Sequence, residues 1–177
     1  MHQETIELCM EGNKKAQFQL YKLYYKGMYS VSLRIVNDEV EAEDIMQEAF
    51  LSAFRNLKTY RGEVSFGAWL KKIVVNRSLD YLKKKKVYFE EINERTMEMT
   101  DYQMGTEEVD VNTIKAAIRN LPDRYRVVLS LYLIEGYDHE EISEILGISN
   151  SSSRTQLLRA KNKLREFLKG KEIFSYN

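Results

Sequence analysis

Residues 141–164 read EISEILGISNSSSRTQLLRAKNKL, and the fold turns on how they are read. Ile142, Ile145 and Leu146 recur at helical spacing on one face of a short helix that begins near His139. Gly147 tolerates the left-handed conformation that ends such a helix, with Ile148 tucked beneath the turn. Ser149 and Asn150 are both suited to cap the next helix, because their short side chains accept from its free N–H groups. Leu157, Ala160 and Leu164 then mark the buried stripe of a second helix, which makes the whole a helix-turn-helix pattern. On that helix Ser151, Arg154, Thr155, Leu158, Lys161 and Asn162 fall opposite the stripe. A helix entering the major groove needs such donors for base edges and such cations for phosphates. Ser151 and Ser152 occupy the first turn, where hydroxyls bind backbone N–H groups or phosphate. A capped, solvated C-terminal helix would carry similar surface lysines, so this face alone leaves both readings open. Ser153 is the exception, lying in line with Leu157 on the inward side, where an apolar residue is expected.

Composition sets the frame for this motif. The chain has 177 residues, 44% hydrophobic and 31% charged, enough for a core and too apolar for wholesale disorder. One proline and eight glycines are too few for a strand-and-turn architecture, so the expectation is all-α. The single cysteine, Cys9, excludes an intramolecular disulfide and argues against structural zinc. His2 and His139 stand far apart, which supplies a His-based catalytic centre poorly. The first residues are polar and acidic, unlike a secretory signal. No apolar run approaches the roughly 18–20 residues that span a bilayer. The expectation is a cytoplasmic protein without membrane insertion, metal or cofactor.

The 27 basic and 27 acidic residues are unevenly spread. Lys83–Lys86 form a basic run; Glu90–Asp110 carries eight acidic residues against Arg95; beyond Asn150 the basic residues dominate again. Two polyanion-binding regions separated by an acidic segment fit this distribution. The pattern divides the chain into a helical unit over 1–88, an acidic linker over 89–110, a second helical unit over 111–170 and a tail over 171–177.

In the first unit, Val40, Ala42, Ile45, Met46, Ala49, Phe50, Ala53, Phe54 and Leu57 keep a helical period and predict one core-facing stripe. The opposite face carries Asp44, Gln47, Glu48, Leu51 and Arg55. A lone exposed leucine usually means nothing. Ringed by Asp44, Gln47 and Glu48, Leu51 equally suits the apolar centre of a protein-binding face. The segment TYRGEVS at 59–65 reads as a loop, with Gly62 permitting a turn and Ser65 available as a cap. The helix after it has Phe66, Trp69, Leu70, Ile73 and Val74 as core candidates, while Val75, Leu79 and Leu82 predict cover on a second side. Lys71, Lys72 and Arg77 place cations near these aromatics, the combination that holds unstacked bases. Trp69 reads first as core; Tyr60, on the loop, is the better stacking candidate.

EAEDIMQEAFLSAFRNL (41–57), SFGAWLKKIVVNRSLDYLKK (65–84) and LPDRYRVVLSLYLIEGYDHEEISEILGIS (121–149) with RAKNKLREFL (159–168) resemble, in order and spacing, the sigma-70 superfamily of bacterial transcription initiation factors, in particular its small extracytoplasmic-function group. The resemblance implies a region 2 helical bundle and a region 4 helix-turn-helix. It assigns Asp44, Gln47, Glu48 and Leu51 to the clamp helices of core RNA polymerase. Tyr60, Arg61, Lys71, Lys72, Asn76 and Arg77 fall to the −10 promoter element, where a base is flipped from the opened strand. Ser151, Arg154, Thr155, Leu158 and Lys161 fall to the −35 element, the same unit also meeting the polymerase flap. The linker would thread toward the active-site cleft, its acidity mimicking nucleic acid. An anti-sigma factor is a further implied partner, and no catalytic activity is implied.

Two residues depart from the family pattern: Ser153 stands where many members carry Val, and Gln156 where many carry Arg or Lys. A serine inside weakens helix packing unless its hydroxyl bonds to a carbonyl one turn back. Gln156 is expected to point away from the groove face. Two rival readings exist: a stand-alone helix-turn-helix regulator, which predicts tight duplex binding by the free protein, and an all-α hydrolase using Asp44 and Glu48. No phosphate loop, metal cluster or nucleophile–base pair supports the second.

Overall fold

The computed structural model describes residues 3–90 and 111–173, with side chains described over 3–85 and 111–168. The acidic segment 91–110 and residues 174–177 of the expected tail lie outside them. Among the described residues there are helices and turns and no strand, as the scarcity of proline and glycine predicts. The chain divides into two compact units, Met1–Lys86 and Val87–Asn177.

The first unit holds α1 (Gln3–Met10), α2 (Lys14–Val36), α3 (Glu39–Arg55), a 3-10 turn (Leu57–Thr59) and α4, which begins at Phe66 and runs on to Glu90. Its joints are capped by side chains. Asn13 accepts from the Lys15 and Ala16 N–H groups, and Asp38 from those of Val40 and Glu41. Between α2 and α3, Asn37 takes the left-handed conformation (φ 57°), which asparagine tolerates better than most residues. The core joins Leu20 and Ile35 of α2, Ala42, Met46 and Ala49 of α3, Leu57, and Leu70 and Val74 of α4. Val75 and Leu79 are buried as well, so α4 is covered on two sides as its sequence predicts. Where α2 meets α4, Ser78 donates to the Val74 carbonyl (2.8 Å), leaving Ser32 to donate to Ser78 (3.1 Å); two buried hydroxyls are thereby satisfied. Cys9 is buried, and burial pushes its thiol pKa up, away from the reactive thiolate.

One part of the expected α3 stripe fails. Val40 is 71% exposed, because it sits in the first turn and the covered stripe starts only at Ala42. Phe54 is half-buried against Phe50, and Leu57 is buried from the 3-10 turn rather than from the helix.

The second unit comprises α5 (Val111–Arg119), α6 (Asp123–Leu133), α7 (His139–Leu146) and α8 (Asn150–Ile173). From Tyr125 to Leu131 every residue of α6 is buried, so this helix is the centre about which the others pack. Arg126 is among them; it donates to the Leu121 carbonyl (3.1 Å) and pairs with Asp123 (2.7 Å), the partners a buried guanidinium requires. Asp138 caps α7 reciprocally with Glu141, and Gly147 ends it at φ 66° while the Ile148 N–H returns to the Ser143 carbonyl. Ser149 caps α8 by accepting from the Ser152 N–H at 3.0 Å. The helix-turn-helix is therefore built from the residues its sequence singles out. α8 itself runs to Ile173, past the point where the sequence pattern places the start of the tail.

Candidate binding faces

On α3 the side opposite the core is solvent-exposed at Asp44, Gln47, Glu48 and Arg55, and Leu51 is 56% exposed among them. An uncovered leucine ringed by carboxylates and an amide has the make-up of an interface centre with a polar rim. Gln47 donates to Glu43 of its own helix (3.2 Å).

The same unit carries an aromatic wall. The Tyr60 ring packs against Phe66 (5.9 Å) and Trp69 (5.4 Å), and its hydroxyl donates to the Val64 carbonyl at 2.7 Å. Tyr24 of α2 also meets Phe66, at 5.4 Å. Ser65 caps α4 by accepting from the Ala68 N–H. Tyr60 and Trp69 both remain half-buried, one edge fixed in the cluster and another open. Burial, then the neighbouring Tyr60, raises the Tyr24 phenol above its ordinary pKa of 10.0, so it stays neutral. Lys72, Asn76 and Arg61 are exposed and Lys71 is half-buried; Arg61 sits 4.0 Å from Glu63 in a fully solvated pair.

Arg77 is the residue whose placement the sequence does not foretell. It pairs with Glu48 at 2.9 Å, joining the cation-bearing face of α4 to the acidic face of α3. Two residues assigned by resemblance to different partners are thus each other's partner in the free chain.

The wall depends on Gly67. A Cβ there would lie 2.8 Å from the Tyr24 ring, so a side chain must displace that ring and with it the Phe66 support of Tyr60. Gly67→Leu is expected to loosen this cluster and to cost the first unit about 1–3 kcal/mol, the penalty of forcing atoms into a filled site. Thermal unfolding measures the loss, and wild-type stability would count against a wall held in place by the absence of a side chain at Gly67.

On α8, Ser151, Arg154, Thr155 and Asn162 are exposed and Leu158 is 59% exposed; Lys161 is half-buried, its ammonium 5.8 Å from the Tyr132 ring centre. Arg154 donates to Asn150 Oδ1 (2.8 Å), which orients the guanidinium along the first turn. Gln156 is closer to this face than the helical projection suggests. It lines a cavity of about 210 Å³ with Ser151, Ser152, Thr155, Arg159 and, from α6, Arg124. Arg124 lies over the Tyr125 ring at 4.7 Å. Two guanidinium groups and three hydroxyls suit a phosphate oxygen. The sequence reading names neither Arg124 nor Arg159 for this role, because only the packing of α6 against α8 brings them together.

Ser153 is fully buried, as its register predicts. The expected partner, a carbonyl one turn back, is replaced by the His139 ring, whose Nδ1 lies 2.8 Å from Ser153 Oγ.

A helix-turn-helix with an exposed cationic face, paired with a second helical unit bearing an acidic-apolar face and an aromatic wall, defines a DNA-binding protein built to dock on another protein. Sigma-70 region 2 matches residues 20–87, and sigma-70 region 4 matches residues 112–164. The chain is 31% identical to the ECF RNA polymerase sigma factor SigW of Bacillus subtilis, over 96% of this chain and 97% of that protein. It is 29% identical to the ECF RNA polymerase sigma-E factor of Haemophilus influenzae, over 90% of each. In fold it is similar to the sigma factor RpoE of Bartonella quintana, solved in complex with the anti-sigma factor NepR (TM-score 0.61, 20% identity, covering 85% of this chain and 95% of that one). The chain belongs to the extracytoplasmic-function group of sigma-70 RNA polymerase sigma factors.

Proposed function

We propose a division of labour between the two units. The α3 face centred on Leu51, with Asp44, Gln47 and Glu48, docks on the clamp helices of core RNA polymerase. The wall of Tyr60 and Trp69, with Arg61, Lys71, Lys72, Asn76 and Arg77, takes the −10 element and a base of its opened strand. α8 reads the −35 element through Ser151, Arg154, Thr155, Leu158 and Lys161, and the same unit meets the flap. The polymerase supplies the chemistry; the chain supplies position. An anti-sigma factor is a partner here as NepR is of RpoE, and it would act by covering these faces.

The observation that carries this reading is the pairing of the exposed Leu51 face with the exposed α8 face in one chain. On this reading the Glu48–Arg77 pair links the docking face to the −10 face. While Glu48 holds Arg77, a −10 cation is engaged in the free protein, and polymerase contact with Glu48 would release it.

The test is run-off transcription from genomic DNA by core polymerase, alone and with the wild-type chain or Asp44→Arg. New transcripts with the wild type, reduced about tenfold or more by the charge reversal, support the reading. Transcripts that never depend on the chain, together with salt-sensitive duplex binding by the free protein, would establish the regulator instead.

A further inference from the structure

We propose that the buried His139–Ser153 hydrogen bond is the positioning element of the recognition helix, holding α8 in the rotation at which Arg154, Thr155 and Lys161 discriminate among −35 sequences. The inference rests on the assignment of α8 to the −35 element.

The bond joins the first residue of α7 to the fourth residue of α8, at 2.8 Å between Nδ1 and Oγ, with both side chains buried. It does not stand alone. The His139 ring stacks on Tyr132 of α6 at 4.6 Å and 26°, and Tyr132 in turn lies under the Lys161 ammonium. Ser153, His139, Tyr132 and Lys161 therefore close a loop through three helices that leaves α8 and returns to it. Its two attachments are eight residues apart, about 12 Å along the helix. Two points at that separation fix both rotation and tilt. Arg154, Thr155 and Leu158 lie between them.

An apolar residue at 153 would pack just as tightly but without direction. A hydrogen bond weakens steeply with angle, so it resists the rotation that packing alone permits. Rotation is what direct readout cannot tolerate, because bidentate contacts to a base edge need both donors in place. The structure therefore explains the departure at Ser153 as half of a pair whose other half is His139.

The pair also carries a pH signature. Burial first, then the positive charges of Arg154 and Lys161, lower the His139 pKa below 6.5, while Asp138 opposes them. The groups facing the ring are thus Asp138 on its own helix, Tyr132 on α6, and Arg154 and Lys161 on α8. The folded state favours neutral imidazole, so its contribution is complete above pH 6.5 and is lost as pH falls below that value. Protonation places a third positive charge beside two that should face DNA.

The experiment uses holoenzyme assembled from core polymerase and the full chain. It measures the preference for a matched over a scrambled −35 element, with the −10 element held constant, from about pH 8 to about 5.5. Ser153→Thr and Ser153→Val are isosteric and differ in the hydroxyl. Thr should keep the preference and Val should lose roughly five- to tenfold of it, the worth of one hydrogen bond. His139→Phe keeps the stack on Tyr132 and loses the bond; with Ser153→Val it leaves no orphaned polar atom. This double variant should unfold as cooperatively as the wild type, yet show a low preference that no longer changes below pH 6.5. Equal preferences for Thr and Val, or a wild-type pH profile unchanged in His139→Phe, would overturn the positioning role while leaving α8 as the reader. A wild-type holoenzyme indifferent to the −35 element would overturn the assignment of α8, and the positioning role with it.

Discussion

Leu51→Glu is expected to abolish binding to core RNA polymerase at working concentrations while leaving the first unit folded. Leu51 is 56% exposed, so the substitution removes little packing and its effect on unfolding should be within about 0.5 kcal/mol. In the proposed docking the same side chain lies at the centre of the face, where water is excluded and a carboxylate is costly to bury. Central positions of interfaces cost about 2–4 kcal/mol when disrupted, a loss of roughly thirtyfold to several hundredfold in affinity. Asp44→Arg acts at the rim, through electrostatic complementarity, and should show more in association rate and salt dependence. Titration of labelled core polymerase, with thermal unfolding as the control, separates these effects. Wild-type affinity in Leu51→Glu would move the docking face elsewhere on the unit.

Glu48 and Arg77 need a separate argument. The side chains are 68% and 37% exposed, and pairs of that kind add little stability, about 0–1 kcal/mol. Their interest is therefore in what each is prevented from doing. Either residue alone reads as a surface charge of its own helix. Only the packing of α3 beside α4 makes them one contact, and the relation spans 29 positions of sequence.

That separation shows where reading a sequence succeeds and where it stops. The turn between α7 and α8 is local: Gly147 and Ser149 act on groups within four residues, so their chemistry is visible in the order of the letters. The two-sided burial of α4 is visible too, because Val74 and Val75 are adjacent and cannot share one face. Val40 fits the periodicity of α3 and is nonetheless exposed, since a period says which side a residue is on and not how far the neighbouring helix reaches. Ser153 marks the same boundary at the binding face. Its inward register follows from spacing, whereas its partner, 14 residues back on another helix, follows from tertiary packing. The Arg124–Arg159 cavity belongs with it.

Ile142→Ala should produce the largest loss of stability, and it should be confined to one unit. Ile142 is completely buried where α7 packs beneath α8. Truncation removes its burial and leaves a cavity, at a cost of about 2–5 kcal/mol. A unit of this size commands only about 3–9 kcal/mol in all, so the helix-turn-helix would be marginal or unfolded. The Leu51 face lies in the other unit, with its own core of Leu20, Ala49, Leu70 and Val74. Transcription from promoters that need a −35 element should then collapse. Docking through Leu51 should persist with a smaller loss, and amide exchange in Met1–Lys86 should be unchanged. Loss of protection in both units together would show that they unfold as one, and binding to core polymerase would then be expected to fail with DNA recognition. Persistence of the first unit alone would mean that the chain docks and reads DNA through separately stable parts, each open to being blocked without the other.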